Sequence, residues 1–74
     1  MKVLEKFLKS DGFKHTTHSN SWNKGNTRVY FEDNTVHVLR FNNPKSQLIE
    51  WHNIIDGNMS IEAIESIIFT MARV

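Results

Sequence analysis

The spacing of hydrophobic residues along this chain is helical near both ends and strand-like in the middle. Near the start, four apolar residues recur at helical spacing before Asp11-Gly12, a pair suited to ending a helix: Val3, Leu4, Phe7 and Leu8. Near the end, Ser60 can cap a helix whose wide apolar stripe is formed by Ile61, Ile64, Ile67, Ile68 and Met71. The pattern therefore predicts a helix over residues 1–10 and a second helix that begins after Ser60.

The central part of the chain predicts a β-hairpin. Two runs rich in β-branched and aromatic residues, 27–32 and 35–41, flank Asp33-Asn34. These two residues tolerate the positive φ angles of a type I′ turn, which joins hairpin strands directly. A two-residue turn at this position places Glu32 opposite Thr35 and so sets the register of the whole hairpin.

This register gives the hairpin two faces of different character. The first face is apolar on both strands, and its cross-strand pairs are Phe31 with Val36 and Val29 with Val38. The second face is mixed, and it pairs Tyr30 with His37 and Arg28 with Leu39, with Phe41 further along. We expect helices to cover the first face, whereas the second face is too apolar to be ordinary solvent-exposed surface.

Residues 14–22 form a polar segment that is rich in Ser and Thr. The tetrapeptide Asn23-Lys24-Gly25-Asn26 predicts a turn between this segment and the hairpin, with Gly25 at the position of positive φ. We expect residues 14–22 to be one weak strand, placed at a sheet edge because it is too polar for the middle of a core.

Residues 44–55 are ambiguous between strand and helix. Asn43-Pro44 and Gly57 would start and end a helix well. In contrast, Ile49, Trp51 and Ile55 alternate as they would in a strand. We favour a fourth strand over residues 44–55.

Together these segments predict a single small α+β domain over residues 1–74. The expected order is α-β-β-β-β-α, with an antiparallel sheet of three or four strands and both helices on one face. The chain has no cysteine, which fits a reducing compartment, and its net charge is only +1, unlike that of a dedicated nucleic-acid binder. No apolar run reaches membrane length. We therefore expect a cytoplasmic protein of a bacterium or bacteriophage, with no membrane association.

Few residues point to catalysis or to a bound metal. Four histidines are present: His15, His18, His37 and His52. A metal site needs converging ligands, but His15 and His18 are three residues apart and would point to opposite faces of an extended strand. The serines lack nucleophile-elbow glycines, and the glycines stand alone at turns instead of forming a phosphate-binding loop. We expect no enzymatic activity, no metal and no cofactor.

The segment Leu8-Lys9-Ser10-Asp11-Gly12-Phe13, followed by strands and a C-terminal helix, resembles the layout of HicA-type toxin ribonucleases over residues 1–40. Those toxins are similar to double-stranded RNA-binding domains and carry a Gly-Ser-His motif with the catalytic histidine. The nearest equivalent here, Thr17-His18-Ser19, lacks the glycine and has a different order. Glu62 and Glu65 also stand where a double-stranded RNA binder would place lysines. The resemblance implies a ribonuclease as an alternative function.

The mixed face of the hairpin favours binding to another macromolecule. We expect a non-enzymatic accessory protein that binds a protein partner, or a second copy of itself, through this face or through a sheet edge. The residues expected at the interface are Trp22, Arg28, Tyr30, His37, Leu39 and Phe41. A second alternative is a stacking platform for single-stranded nucleic acid, formed by Trp22, Tyr30, Phe41 and Trp51 with Lys24, Arg28 and Arg40.

Overall fold

Five antiparallel strands in sequential order form one sheet, and a helix precedes and follows it along the chain. The computed structural model describes residues 2–43, 45–46 and 48–73. The helices are α1, Lys2–Ser10, and α2, Ile61–Ala72. The strands are β1, Lys14–Thr16; β2, Ser21–Lys24; β3, Thr27–Glu32; β4, Thr35–Phe41; and β5, Ile49–Asp56. The predicted α+β fold is confirmed, with five strands in the sheet instead of the three or four expected.

The additional strand arises within residues 14–22, which were expected to form one weak strand. The chain instead turns back between β1 and β2, and Asn20 adopts a left-handed conformation with φ of 49°. Asparagine tolerates this conformation more readily than most residues do, so the chain can reverse its direction within a few residues. The two halves of the segment therefore pair with each other.

The central hairpin has the register that the sequence predicts. Glu32 lies opposite Thr35, and the pairs Phe31 with Val36, Val29 with Val38, Tyr30 with His37 and Arg28 with Leu39 all form. The turn itself is not of type I′, because only Asp33 of its two central residues has a positive φ, at 53°. The register survives because it depends on the two-residue length of the turn and on the alternating faces of the strands.

Residues 49–56 form a strand, so the strand interpretation of the ambiguous segment is confirmed and the helix alternative is wrong. The strand pairs with β4 from Thr35 opposite Asp56 to Phe41 opposite Ile49. A bulge interrupts the pairing near Arg40 and Phe41. Pro44, the candidate first residue of the alternative helix, lies outside the described residues.

Both helices pack on one face of the sheet, as expected. The side chains that form this core are Leu4 and Leu8 of α1, Phe13, Val29, Val36, Val38 and Ile55 of the sheet region, and Ile64, Ile68 and Met71 of α2. The hydroxyl of Ser60 accepts a hydrogen bond from the backbone N–H of Ala63 at 3.2 Å, which confirms Ser60 as the cap of α2. The strands are thereby left with a second face that points away from the helices.

Asp11 joins the ends of both helices to the sheet. Its carboxylate accepts two hydrogen bonds from the Arg73 guanidinium, at 2.6 and 3.1 Å, and its backbone carbonyl accepts one from Lys24 Nζ at 2.6 Å. The hydrogen bond from Arg73 lowers the pKa of the Asp11 carboxyl, and partial desolvation opposes this effect only in part. The charges of Lys24 and Arg73 lower the pKa further.

Candidate binding surface

The face of the sheet opposite the helices is called the open face below. Because side chains alternate along each strand, the register assigns its central residues, which are Arg28, Tyr30, His37, Leu39, Phe41, His52 and Ile54. Three of them, His37, Leu39 and Phe41, are nonetheless buried, because their neighbours on adjacent strands cover them. Ile54, in contrast, keeps 58% of its surface exposed. The open face therefore has a packed centre with an exposed apolar residue beside it.

The centre of this face is a stacked pair of rings from neighbouring strands. The rings of Tyr30 and His37 are nearly parallel, with an angle of 10° and centroids 4.5 Å apart. These two residues lie directly opposite each other on β3 and β4. The hairpin register thus brings together two side chains that are seven positions apart in the sequence.

A chain of hydrogen bonds continues from the stacked pair to the next strand. His37 Nδ1 lies 2.9 Å from His52 Nε2, and His37 Nε2 lies 3.1 Å from Thr35 Oγ1. The Thr35 hydroxyl donates its hydrogen to the backbone carbonyl of Glu32 at 2.5 Å, so its oxygen accepts the hydrogen of His37 Nε2. A neutral His37 therefore accepts at Nδ1 from the N–H of His52 Nε2. This chain fixes the orientation of both imidazoles.

Arg28 supplies a positive charge close to the aromatic centre. Its Nε donates to the side-chain oxygen of Asn23 at 2.9 Å, and its guanidinium lies 5.1 Å from the centroid of the Phe41 ring. Cation–π contact of this kind holds the guanidinium plane over the sheet instead of leaving it free in solvent. Glu32 adds a negative charge to the same face, with its carboxylate 3.4 Å from His37 Nε2.

Trp22 does not belong with these residues, although it was expected near them. It pairs with Val29, whose side chain lies on the helix-covered face, and it packs against the core. Its ring also contacts His15, with centroids 4.8 Å apart. The expectation failed because it gave residues 14–22 a single strand and so left the face of Trp22 undetermined.

Two residues of the open face, His52 and Ile54, were missed as site residues from the sequence. Both lie on β5, in the segment whose sequence pattern fits either a strand or a helix. The signal that could have found them is the alternation of Ile49, Trp51 and Ile55, which would have placed the intervening residues on a common face once a strand was chosen.

The other residues considered for chemistry lie apart from this centre. His18 lies exposed in the turn between β1 and β2, and His15 Nε2 donates to the side-chain oxygen of Asn20 at 3.1 Å. Within residues 2–43, 45–46 and 48–73, no three His, Asp or Glu side chains converge as metal ligands. The same part of the chain forms no pocket.

Comparison with protein-family models, with curated proteins and with solved structures gave no match. Neither of the helices in the described ranges is long and apolar enough to cross a membrane.

Proposed function

We propose that this chain is a small non-enzymatic binding protein that contacts a protein partner with the open face of its sheet. The observation that carries this proposal is the connected group of Tyr30, His37 and His52, held by ring stacking and a 2.9 Å hydrogen bond beside the exposed Ile54. A group whose side chains are already fixed loses little conformational entropy when a partner covers it.

The composition of the face favours a protein over a nucleic acid. Tyr and Arg are enriched among residues that dominate binding energy in protein interfaces, and Tyr30 and Arg28 supply them here. A nucleic-acid surface needs an excess of positive charge over its whole area, whereas here the negative carboxylate of Glu32 lies 3.4 Å from His37 Nε2, beside the stacked rings. Exposed Ile54 adds apolar area, which a polyanionic backbone does not use.

The same proposal extends to the setting in which the protein acts. We place it in the bacterial cytoplasm, as an accessory or inhibitor protein of a bacterium, a phage or another mobile element. Its lack of cysteine fits a reducing compartment. A second copy of the chain is one candidate partner for the open face.

The experiment that tests this function measures binding by matched variants. The purified chain is used to capture a partner from bacterial lysate, and the captured protein is then purified and titrated against wild type, Tyr30→Ala and Lys6→Ala. We expect Tyr30→Ala to weaken binding at least about tenfold, because it removes the stacked ring. Lys6→Ala changes an exposed position of α1 and is the control that leaves affinity unchanged.

Three results would contradict the proposal. Equal affinity of the Tyr30→Ala variant would place the partner on another surface. Binding of single-stranded oligonucleotides that is lost in Tyr30→Ala would favour the stacking platform. Cleavage of RNA by the pure protein, abolished by His18→Ala, would favour the ribonuclease that the N-terminal resemblance implies.

A further inference from the structure

The outer edge of β5 is a second surface, which adjoins the open face and shares Ile54 and His52 with it. Strand order places β5 at one edge of the sheet, and among the described residues it pairs with β4 alone. Natural sheets keep their edge strands short or protect them with charges. The opposite edge follows this rule, since β1 has only three residues, all exposed. Strand β5 has eight residues and exposes 51% of Ile49, 50% of Trp51 and 58% of Ile54.

The hydrogen-bond pattern shows which backbone groups of β5 face outward. The N–H of Gly57 donates to the carbonyl of Asn34 at 2.8 Å, so this pair is a hydrogen-bonded one. Hydrogen-bonded and non-hydrogen-bonded pairs alternate along antiparallel strands, so Ile55 and Asn53 also direct their backbone groups toward β4. The backbone groups of His52, Ile54 and Asp56 therefore point away from the sheet.

We propose that a second copy of this chain pairs with this edge, β5 against β5 in antiparallel orientation, around a two-fold axis at Ile54. The two-fold arrangement joins edges of equal length and closes on itself, as most homo-oligomers do. Pairing of β5 with β1 of another copy would instead match eight residues with three and leave most of the longer strand exposed.

The charges along β5 favour this register over those centred on Asn53 and on His52, which also keep the two open faces on the same side. A register centred on Asn53 would oppose Glu50 to Asp56 of the second copy, two carboxylates at each end of the contact. A register centred on His52 would oppose the apolar Ile54 to Glu50. The register centred on Ile54 pairs the two Ile54 side chains and sets His52 beside Asp56. It also uses the regular half of β5, away from the bulge near Arg40 and Phe41.

The resulting dimer contains one continuous sheet with the two open faces on the same side. Ile54 of each copy exchanges backbone hydrogen bonds with its counterpart, and the Asp56 N–H meets the His52 carbonyl at both ends of the contact. This inference goes beyond the proposed function. The edge contact uses Ile54 but leaves Tyr30 uncovered, so the Tyr30→Ala variant tests the open face separately from the edge.

The test uses single cysteines, which are informative because the chain has none of its own. Ile54→Cys, His52→Cys and Asp56→Cys are oxidised under mild conditions, with Thr16→Cys on the opposite edge as the control. Paired residues across antiparallel strands lie at Cα separations of about 5.5 Å, within the range that a disulfide spans. We expect Ile54→Cys to form a covalent dimer without a second variant being added. His52→Cys and Asp56→Cys should cross-link only when the two variants are mixed.

The mass in solution is measured in parallel by light scattering. We expect a dimer for wild type and for Tyr30→Ala, and at least about tenfold weaker association for Ile54→Lys, which brings two positive charges together at the axis. Ile54 is exposed in the single chain, so its variants should fold, which circular dichroism checks. A monomeric wild type with Ile54→Cys cross-linking no faster than Thr16→Cys would overturn the proposal. Cross-linking of the His52→Cys variant with itself would overturn the register. A dimer that is lost in Tyr30→Ala but kept in Ile54→Lys would show that the contact lies on the open face and would overturn the edge pairing.

Discussion

His37 and His52 join strands β4 and β5 through a direct hydrogen bond between their rings, with Nδ1 of His37 2.9 Å from Nε2 of His52. Only one hydrogen can lie between these two nitrogens. The Thr35 hydroxyl donates to the Glu32 carbonyl, so it takes the hydrogen of His37 Nε2 and leaves Nδ1 of that ring as an acceptor. The relationship thus specifies which nitrogen of each neutral ring carries its hydrogen.

The first prediction concerns these tautomers. At pH 8.5 we expect long-range ¹H–¹⁵N spectra to show both His37 and His52 protonated at Nε2, because this is the arrangement that satisfies both hydrogen bonds. Exposed His18 is the internal comparison and should show a mixture of tautomers. Thr35→Val removes the acceptor of His37 Nε2–H and should shift the His37 signals without moving those of His18. A His37 ring protonated at Nδ1 in wild type would contradict the assignment.

The second prediction concerns Gly57, which lies against the turn between β3 and β4. A Cβ atom at this position would lie 2.5 Å from the backbone oxygen of Asn34, too close for any real contact. We expect Gly57→Ala to lower the free energy of unfolding by about 1–3 kcal/mol, because backbone must move to make room. Gly25→Asn is the control, since Gly25 has open space around it and a φ of 56° that asparagine accepts. Urea denaturation measures both, and equal stability of Gly57→Ala and wild type would contradict the close approach.

The third prediction concerns pH and Asp11. The hydrogen bond from Arg73 lowers the pKa of the Asp11 carboxyl in the folded chain below its pKa in the unfolded chain. The contribution of Asp11 to stability is therefore complete above the unfolded pKa of about 3.9. This contribution is lost as the pH falls through the lower pKa of the folded chain. Asp11→Asn should therefore be less stable than wild type at pH 7, and the difference should shrink at pH 2.5.

The comparison is made by urea denaturation at both pH values. Asp33→Asn is its matched control, because Asp33 is an exposed turn residue with positive φ, where asparagine fits equally well. A difference between wild type and Asp11→Asn that stays constant from pH 7 to pH 2.5 would show that the loss is steric and not electrostatic.

The fourth prediction concerns the helix-covered core. Ile64 of α2 is fully buried among residues of α1 and the sheet, so Ile64→Ala should lower the free energy of unfolding by about 2–4 kcal/mol. Ser66→Ala, at an exposed position of the same helix, should change it by less than about 0.5 kcal/mol. Chemical denaturation separates the two, and a cost for Ile64→Ala as small as that of Ser66→Ala would rule out the packing described.

Several features of this protein depend only on residues that lie close together along the chain, so the amino-acid sequence is enough to predict them. The two-residue turn at Asp33-Asn34 and the alternation around it set the hairpin register, and hence the stacking of Tyr30 on His37. Ser60 determined the start of α2 because its hydroxyl bonds to a backbone group three residues away. These interactions are local, so the amino-acid order alone specifies them.

Other features depend on contacts between segments that are far apart along the chain, and these appear only in the folded structure. Whether residues 49–56 form a strand depends on pairing with β4, because their local pattern fits a helix as well, and this pairing brings His52 to His37 and Ile54 to the free edge. The face of Trp22 likewise depends on a chain reversal at Asn20 that few local signals mark. In both cases the free energy gained from a contact between distant segments outweighs a weak local conformational preference. The local pattern of residues does not show which distant segment will make that contact.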